Sequence, residues 1–200
     1  MSQPSTFDRV YMAIKERLRH GDFRPGDRLE PTMLSQDLNA SVTPIRDALH
    51  RLTGERLVEA PRHEGFRAPL LTESMLRHLY AWHLDILLLA IARRKAACTL
   101  HLDHVEDAPL FERLNGIFVS LAAASDNPEH GAALKTLTER LEPYNRFERE
   151  FLDAVEAETE QIASAIEAND VKSLRRALVQ YHRRRDRVVP QLLARLHNAR

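Results

Sequence analysis

Residues 29–58 read LEPTMLSQDLNASVTPIRDALHRLTGERLV. Within them Ile45, Ala48, Leu49 and Leu52 recur at three- and four-residue spacing, the signature of one buried helical face. The same period puts Thr43, Arg46, Asp47 and His50 together on the opposite face. Helix onset falls near Ser41–Thr43, with Pro44 in the first turn, where its missing N–H costs little. Gly54 stops the helix. A second helix is expected from about Pro31 or Thr32 to Leu38, turning Met33, Leu34 and Leu38 inward. A helix presenting Thr43 and Arg46 at its N-terminal end can hold phosphate oxygens with hydroxyl and backbone N–H groups, and a guanine edge with the guanidinium. A solvated amphipathic helix satisfies the same spacing, so periodicity alone does not choose between the two.

Working outward, residues 7–20 place Phe7, Val10, Tyr11, Ile14 and Leu18 on one helical face, closed by Gly21. The segment GDFRPGDRL, with Gly21, Pro25 and Gly26, reads as a loop or short extended turn. After the third helix, Leu57–Ala60 predicts a short strand, Pro61–Gly65 a turn, and Phe66–Leu70 a returning strand. Three helices and a small hairpin make the order of a winged helix-turn-helix, expected over residues 1–70.

From Thr72 the pattern turns helical. Thr72-Glu73-Ser74 resembles an N-cap, and Met75, Leu76, Leu79 and Tyr80 continue at helical spacing. Further helices are expected at about 103–123, 128–157, 158–168 and 170–197. Breaks are expected near Pro109, Asp126–Pro128, Pro143 and Asn169-Asp170. No strand-like alternation interrupts them. The fold class is therefore mainly α: a winged N-terminal domain, then an all-α bundle over residues 72–200.

Composition narrows the function. The 29 basic and 29 acidic residues cancel, and residues 1–70 hold eleven Lys/Arg against ten Asp/Glu. Nucleic acid, if bound, must be held by few, placed contacts rather than by a general positive field. A hydrophobic share of 44% supports a real core, and the lone Cys98 fits a reducing compartment. With no signal-peptide h-region, and a longest apolar run of only Ile86–Ala92, a cytoplasmic protein without a membrane span is expected. There is no Gly-rich phosphate loop, Gly-x-Ser-x-Gly elbow or His-Glu-x-x-His motif, so nothing favours an enzyme. With aromatics at 6% and none clustered near basic residues, RNA stacking platforms are lacking too.

The segment 7–70 resembles the DNA-binding domain of the GntR family of bacterial transcriptional regulators. The resemblance rests on Ser41-Val42-Thr43-Pro44-Ile45-Arg46-Asp47-Ala48-Leu49, on Leu52-Thr53-Gly54-Glu55-Arg56-Leu57-Val58, and on the wing Pro61-Arg62-His63-Glu64-Gly65-Phe66. It implies DNA contacts from Thr32, Ser41, Thr43, Pro44, Arg46 and His50, and from Arg62, His63 and Gly65 in the wing. Two positions depart from the family pattern. Val42 stands where an Arg is usual, and Glu64 stands where a basic residue usually precedes the wing Gly. The departures imply weaker or altered DNA preference.

Thr72–Tyr80, Phe118 with Leu121–Pro128, and Ile162 with Ala165–Asp170 resemble the all-helical FCD domain of the FadR subfamily. That resemblance implies a homodimer on a pseudo-palindromic operator in double-stranded DNA, and a repressor whose helical domain senses a small carboxylate-like effector. Many such domains hold a divalent metal with one Asp and three His. The matching positions here are Asn115, Val119, the neighbourhood of Thr159, and Tyr181, so no metal cofactor is expected. His182 lies one residue on, where a rotation of about 100° points it elsewhere. His83 falls where the family often has an effector-binding Arg. The candidate pocket is thus His83, Asn115, Val119, Thr159 and Tyr181, with core packing an equal reading for His83. His101 and His104, beside Asp103 and Asp107, have zinc-like i,i+3 spacing, but exposed side chains between helices explain them. Trp82 and the apolar run beside it read as core or dimer surface, and Arg183, Arg184, Arg185 and Arg187 as a solvated face. The competing reading is a ligand-independent DNA-binding regulator whose helical half only dimerises.

Overall fold

The computed structural model describes residues 5–94 and 110–198, leaving the expectations for Cys98, His101, Asp103, His104, Asp107 and Pro109 outside the described residues. Eight α-helices are described: α1 (Thr6–Arg19), α2 (Pro31–Asp37), α3 (Val42–Gly54), α4 (Glu73–Ala92), α5 (Leu110–Ala123), α6 (Pro128–Asn145), α7 (Val155–Glu167) and α8 (Val171–His197). The chain divides into two compact units. One ends at Leu71 and also takes in the chain from Ala194; the other is Thr72–Leu193.

In the first unit, the inward rows of α1 and α3 meet in one core. Val10, Ile14, Ile45, Ala48, Leu49 and Leu52 are each fully buried, joined by Leu29, Leu34, Leu57, Val58 and Ala68. Ser5 caps α1 by accepting the Asp8 N–H at 3.1 Å. Between α2 and α3 the chain turns through Asn39 in the left-handed region, φ 48°. Arg9 pins that turn from α1, donating to the Leu38 carbonyl at 2.8 Å and the Asn39 carbonyl at 3.3 Å. Met33, expected to point inward, is exposed instead. Helix α2 has seven residues and buries only Leu34, which leaves Met33 on the outer side.

The wing is smaller than the two expected strands. Glu59 and Arg67 exchange both backbone hydrogen bonds at 2.9 Å, and the Leu29 N–H donates to the Phe66 carbonyl at 2.8 Å. The Ala68 N–H reaches the Asp27 carbonyl at 2.9 Å. Three extended segments therefore pair antiparallel through isolated bridges, Arg28 with Arg67 and Glu59 with Arg67. Pro61 and Pro69 flank the paired residues and bring no N–H, which keeps the ladder short. The extended segment at 27–29, read from sequence as loop, supplies its third member.

In the second unit α5 packs on α6 and α4, and α4 on α6. Leu76, Leu87, Ile117, Leu121, Leu134, Leu141, Ile162, Leu178 and Val189 fill the interior. Thr72 caps α4 and Asn127 caps α6. Helix α4 is long and apolar enough to cross a membrane by length and composition, a test that a bundle's core helix also passes. The break expected at Pro143 is displaced. Pro143 lies inside α6, which ends at Asn145, and a short 3-10 turn follows at Glu148–Glu150. Ala154, at φ 53°, then redirects the chain into α7.

Candidate functional site

Helix α3 carries its four outward residues free of the core. Thr43, Arg46, Asp47 and His50 are all exposed, and Arg46 has no hydrogen-bond or ion-pair partner among the described residues. Its N-terminus, like those of α2 and α7, carries no side-chain cap. Ser5, Thr72 and Asn127 each accept a backbone N–H at their helix starts, whereas Ser41 at the α3 N-cap, φ −70° and ψ 159°, makes no side-chain capping bond. Helix geometry leaves the first-turn N–H groups of Val42 and Thr43 without intrahelical partners. Pro44 has no N–H to offer. Two amides, two hydroxyls and one guanidinium therefore converge at an exposed helix start, an arrangement suited to phosphate and base edges.

His50 has a second task. Its ring meets Phe66 edge-on at 4.9 Å, tying α3 to the returning wing segment. The wing turn itself runs through two left-handed residues, His63 at φ 63° and Gly65 at φ 77°, with the Glu64 N–H donating to the Pro61 carbonyl at 3.2 Å. Arg62 and His63 are exposed at its tip. Glu64, the acid read from sequence as adverse to DNA, lies 3.6 Å from Arg67, which also pairs with Glu59 at 2.8 Å. Sequence reasoning missed Arg67 as the neutralising partner; its place two residues after Gly65 was the available signal. Thr32 is exposed at the start of α2, where its carbonyl accepts the Ser35 hydroxyl at 2.7 Å.

A half-buried network locks the opposite end of α3 to α1. Lys15 Nζ donates to Glu55 at 2.9 Å and Tyr11 Oη donates to Glu55 at 2.7 Å. Arg51 lies 4.2 Å over the Tyr11 ring. Burial pushes the Glu55 carboxyl up, but the bonds from Lys15 and Tyr11 outweigh it and hold the carboxyl below its usual range.

The interior of the helical unit holds a row of buried polar groups. His83 Nδ1 and His182 Nε2 are 2.8 Å apart, His182 Nδ1 lies 2.7 Å from the Leu178 carbonyl, and Thr138 Oγ1 lies 3.3 Å from His83 Nε2. A carbonyl only accepts, which assigns the tautomers in sequence. His182 donates from Nδ1 to Leu178, so its Nε2 accepts from His83 Nδ1, and His83 Nε2 accepts the Thr138 hydroxyl. Both rings are neutral: burial lowers His182 to about 3 and His83 well below its ordinary value. The expectation that His182 points away is thus corrected, since it faces the core and meets His83.

Of the predicted pocket residues, the structure brings His83 and Tyr181 together around Phe118, at ring distances of 5.2 and 5.1 Å. Asn115 is buried and donates to Glu142 at 3.1 Å. Val119 is only partly buried, and the fully buried Thr159 turns its hydroxyl back to the Val155 carbonyl at 3.0 Å. At the positions expected to match a metal site, Val119 has no donor atom, the Thr159 hydroxyl is engaged with the Val155 carbonyl, and burial pushes the Tyr181 phenol far above its ordinary value.

Arg185 also overturns its expected place on a solvated face. It is fully buried, with Nε 3.0 Å and a terminal nitrogen 2.6 Å from Glu148, a further bond to Glu158, and its guanidinium 3.4 Å over the Tyr181 ring. Burial pushes the Glu148 carboxyl up despite Arg185. The signal was present in sequence: residue 185 continues the apolar row of Leu178, Tyr181, Val189 and Leu192. Arg183 and Arg187 are exposed, as expected.

Residues 6–67 match the profile of the bacterial regulatory proteins of the gntR family. YdhC of Bacillus subtilis, an uncharacterized HTH-type transcriptional regulator, is 30% identical over 81 residues, 40% of this chain and 36% of that protein. The Nta operon transcriptional regulator of Aminobacter aminovorans is 41% identical over 58 residues, 29% of this chain and 28% of that protein. The HTH-type transcriptional repressor GlaR of Escherichia coli is 26% identical over 106 residues, 52% of this chain and 48% of that protein. In these matches the chain spans less than half the length of each curated relative. The named relatives are all transcriptional regulators. Two solved structures share the fold: McbR/YncC of E. coli, with TM-score 0.71 and 21% identity, and a GntR-type putative regulator from Rhodococcus sp. RHA1, with TM-score 0.78 and 17% identity. Each match covers 94% of this chain and 99% of the other.

Proposed function

We propose, from the match of residues 6–67 to the gntR family of bacterial regulatory proteins, that the chain is a sequence-specific, double-stranded-DNA-binding transcriptional regulator. The observation that carries this reading is the exposed start of α3, where Ser41, Thr43 and the unpartnered Arg46 surround an N-terminus without a side-chain cap. The regulator works in the cytoplasm as a homodimer, each winged helix reading one half of a pseudo-palindrome. Repression is the favoured direction of control, supported by the name of the relative GlaR.

The second unit, on its resemblance to FCD domains of the FadR subfamily, senses a small organic acid without a metal. The buried polar row of His83, His182, Thr138 and Arg185 supports a sensing role, because a bundle that only dimerises has no need of it. An acidic effector would compete with Glu148 for Arg185. The closed hydrogen-bond chain from Thr138 to Leu178 favours the second reading, a ligand-independent module, since it leaves those ring nitrogens engaged.

Replacing Arg46 by Ala should weaken operator binding by about 1–3 kcal/mol if the guanidinium reads a base. Fluorescence anisotropy at fixed salt measures this, and equal affinity of the two proteins would rule out the α3 reading. For the sensor, a thermal-shift panel of organic acids with added zinc, added nickel or EDTA separates three cases. A shift independent of metal supports the metal-free sensor, and a metal-dependent shift refutes it. No shift, with DNA binding intact, selects the dimerisation module.

A further inference from the structure

Helix α4 is apolar on two sides. Its inner row, Leu76, Leu79, Tyr80, His83, Ile86, Leu87, Ala90 and Ile91, is buried in the bundle. Its outer row also carries large apolar side chains: Met75 is 43% exposed, Trp82 49% and Leu89 46%. Met75, His78, Trp82, Asp85 and Leu89 recur at alternating three- and four-residue intervals, and Ala81 lies beside Trp82 on the same open face. That spacing is a straight seam along an α-helix. Large apolar side chains exposed in a row along one face mark an interaction surface, and no described residue covers this side.

We propose that a second copy of this chain covers the seam, its α4 running antiparallel across a two-fold axis at Trp82. The proposal rests on the dimeric reading above and names the surface that makes the dimer. Either orientation pairs apolar side chains along the seam, but this one also pairs its charges. Reversal about Trp82 sets Met75 seven residues from the axis on one side and Leu89 seven residues from it on the other, so each apolar end meets its counterpart. At about 1.5 Å per residue, His78 and the partner helix's position 85 come within roughly 1.5 Å of the same height. His78 and Asp85 lie to the same side of the Trp82 line, and a two-fold axis perpendicular to the helices keeps them on that side. Each imidazole then meets a carboxylate, twice per dimer, as an isologous interface requires. A parallel pair about an axis along the helices sends the two His78 to opposite sides and leaves no carboxylate facing either. Ala81 beside Trp82 allows the backbones to approach. A bilayer is the poorer occupant, because Asp85 sits in the middle of the seam and a carboxylate at membrane depth is costly.

Trp82 is the chain's single tryptophan, so its fluorescence reports its own burial. The experiment uses the full chain, with mass measured by sedimentation equilibrium and Trp82 emission followed on dilution. Wild type should sediment at twice 23.0 kDa and its emission should shift red as it dissociates. Trp82→Glu should weaken association by on the order of 30-fold or more with an unchanged circular dichroism spectrum, as expected for an exposed position. Asp85→Arg should also weaken it, and adding His78→Asp should restore it by reversing the pair. If both single variants stay as dimeric as wild type, the seam is not the interface, although the dimer reading stands. A wild type that is monomeric throughout overturns the dimer reading and the seam together. Flotation of wild type, but not Trp82→Glu, with phosphatidylcholine–phosphatidylglycerol vesicles would replace the second copy by a lipid surface.

Discussion

Acid should loosen the helical unit through one ring, and the size of the effect follows from the way that ring is buried. His182 is enclosed, donates from Nδ1 to Leu178 and accepts from His83, and burial lowers it to about 3. At pH 7.5 both folded and unfolded chains hold it neutral, and it contributes nothing to the pH dependence. Below about 6.5 the unfolded chain binds a proton that the folded chain refuses, so the unfolded state gains and stability falls. At pH 5.5 the ratio of unfolded binding polynomials is about 11, a loss of about 1.4 kcal/mol from this residue alone. The loss continues by about 1.4 kcal/mol per pH unit and levels off as pH nears 3, where the folded ring titrates. His83, also lowered by burial, acts in the same direction. Glu148 acts oppositely, because a raised folded carboxyl gains protons before the unfolded one does. A difference of differences removes these other groups. Urea unfolding of wild type and His182→Gln, at pH 7.5 and 5.5 and one protomer concentration, should show the variant losing about 1.4 kcal/mol less than wild type over the interval. Equal losses would mean that His182 is protonated or solvated in the folded protein, and the neutral relay would be wrong.

Other perturbations test other parts of the argument. Arg185→Ala leaves Glu148 and Glu158 buried without their shared cation, and should cost about 3–5 kcal/mol in urea unfolding; a loss under about 1 kcal/mol would show that the carboxylates reach water. Glu64→Lys should tighten DNA binding at low salt and steepen the log K against log salt slope by about 0.9, read by anisotropy across a salt series. An unchanged slope would place the wing away from phosphate. Thr72→Ala removes the α4 cap and should lower stability by about 1 kcal/mol, and a melt that does not move would show that the Met75 N–H finds another acceptor.

The first unit was legible because short-range rules wrote it. Ile45, Ala48, Leu49 and Leu52 have only one way to share a helical face, and Pro44 and Gly54 bracket it. The wing was over-read as two strands. Alternation at Leu57–Ala60 cannot reveal that its ladder closes on Glu59 and Arg67 alone, nor that Asp27–Leu29 supplies the third member, since pairing across forty residues has no local signature. In the helical unit the errors have one source. Residue type predicts a solvated Arg185, and rotation from Tyr181 alone predicts an outward His182, whereas their place in the row beside Leu178 and Val189 determines burial. A charge enters such a row only when other helices bring carboxylates to it, and Glu148 and Glu158 are remote in sequence. Proline lacks an N–H, which predicts a stop at Pro143, yet one missing bond near a helix end is tolerated.

Helix α3 keeps its two rows apart. Every side chain on the inner row is fully buried, and Thr43, Arg46 and Asp47 outside it are exposed, with no side-chain hydrogen bond or ion pair among the described residues. Such a helix can exchange its outward residues without disturbing the fold, so a lineage can drift from one target sequence to another through variants that all remain folded. His50 is the exception, because its ring also braces the wing against Phe66. On the proposed function, changes at 43, 46 and 47 are free to explore new operators, whereas a change at 50 also shifts the seat of the wing.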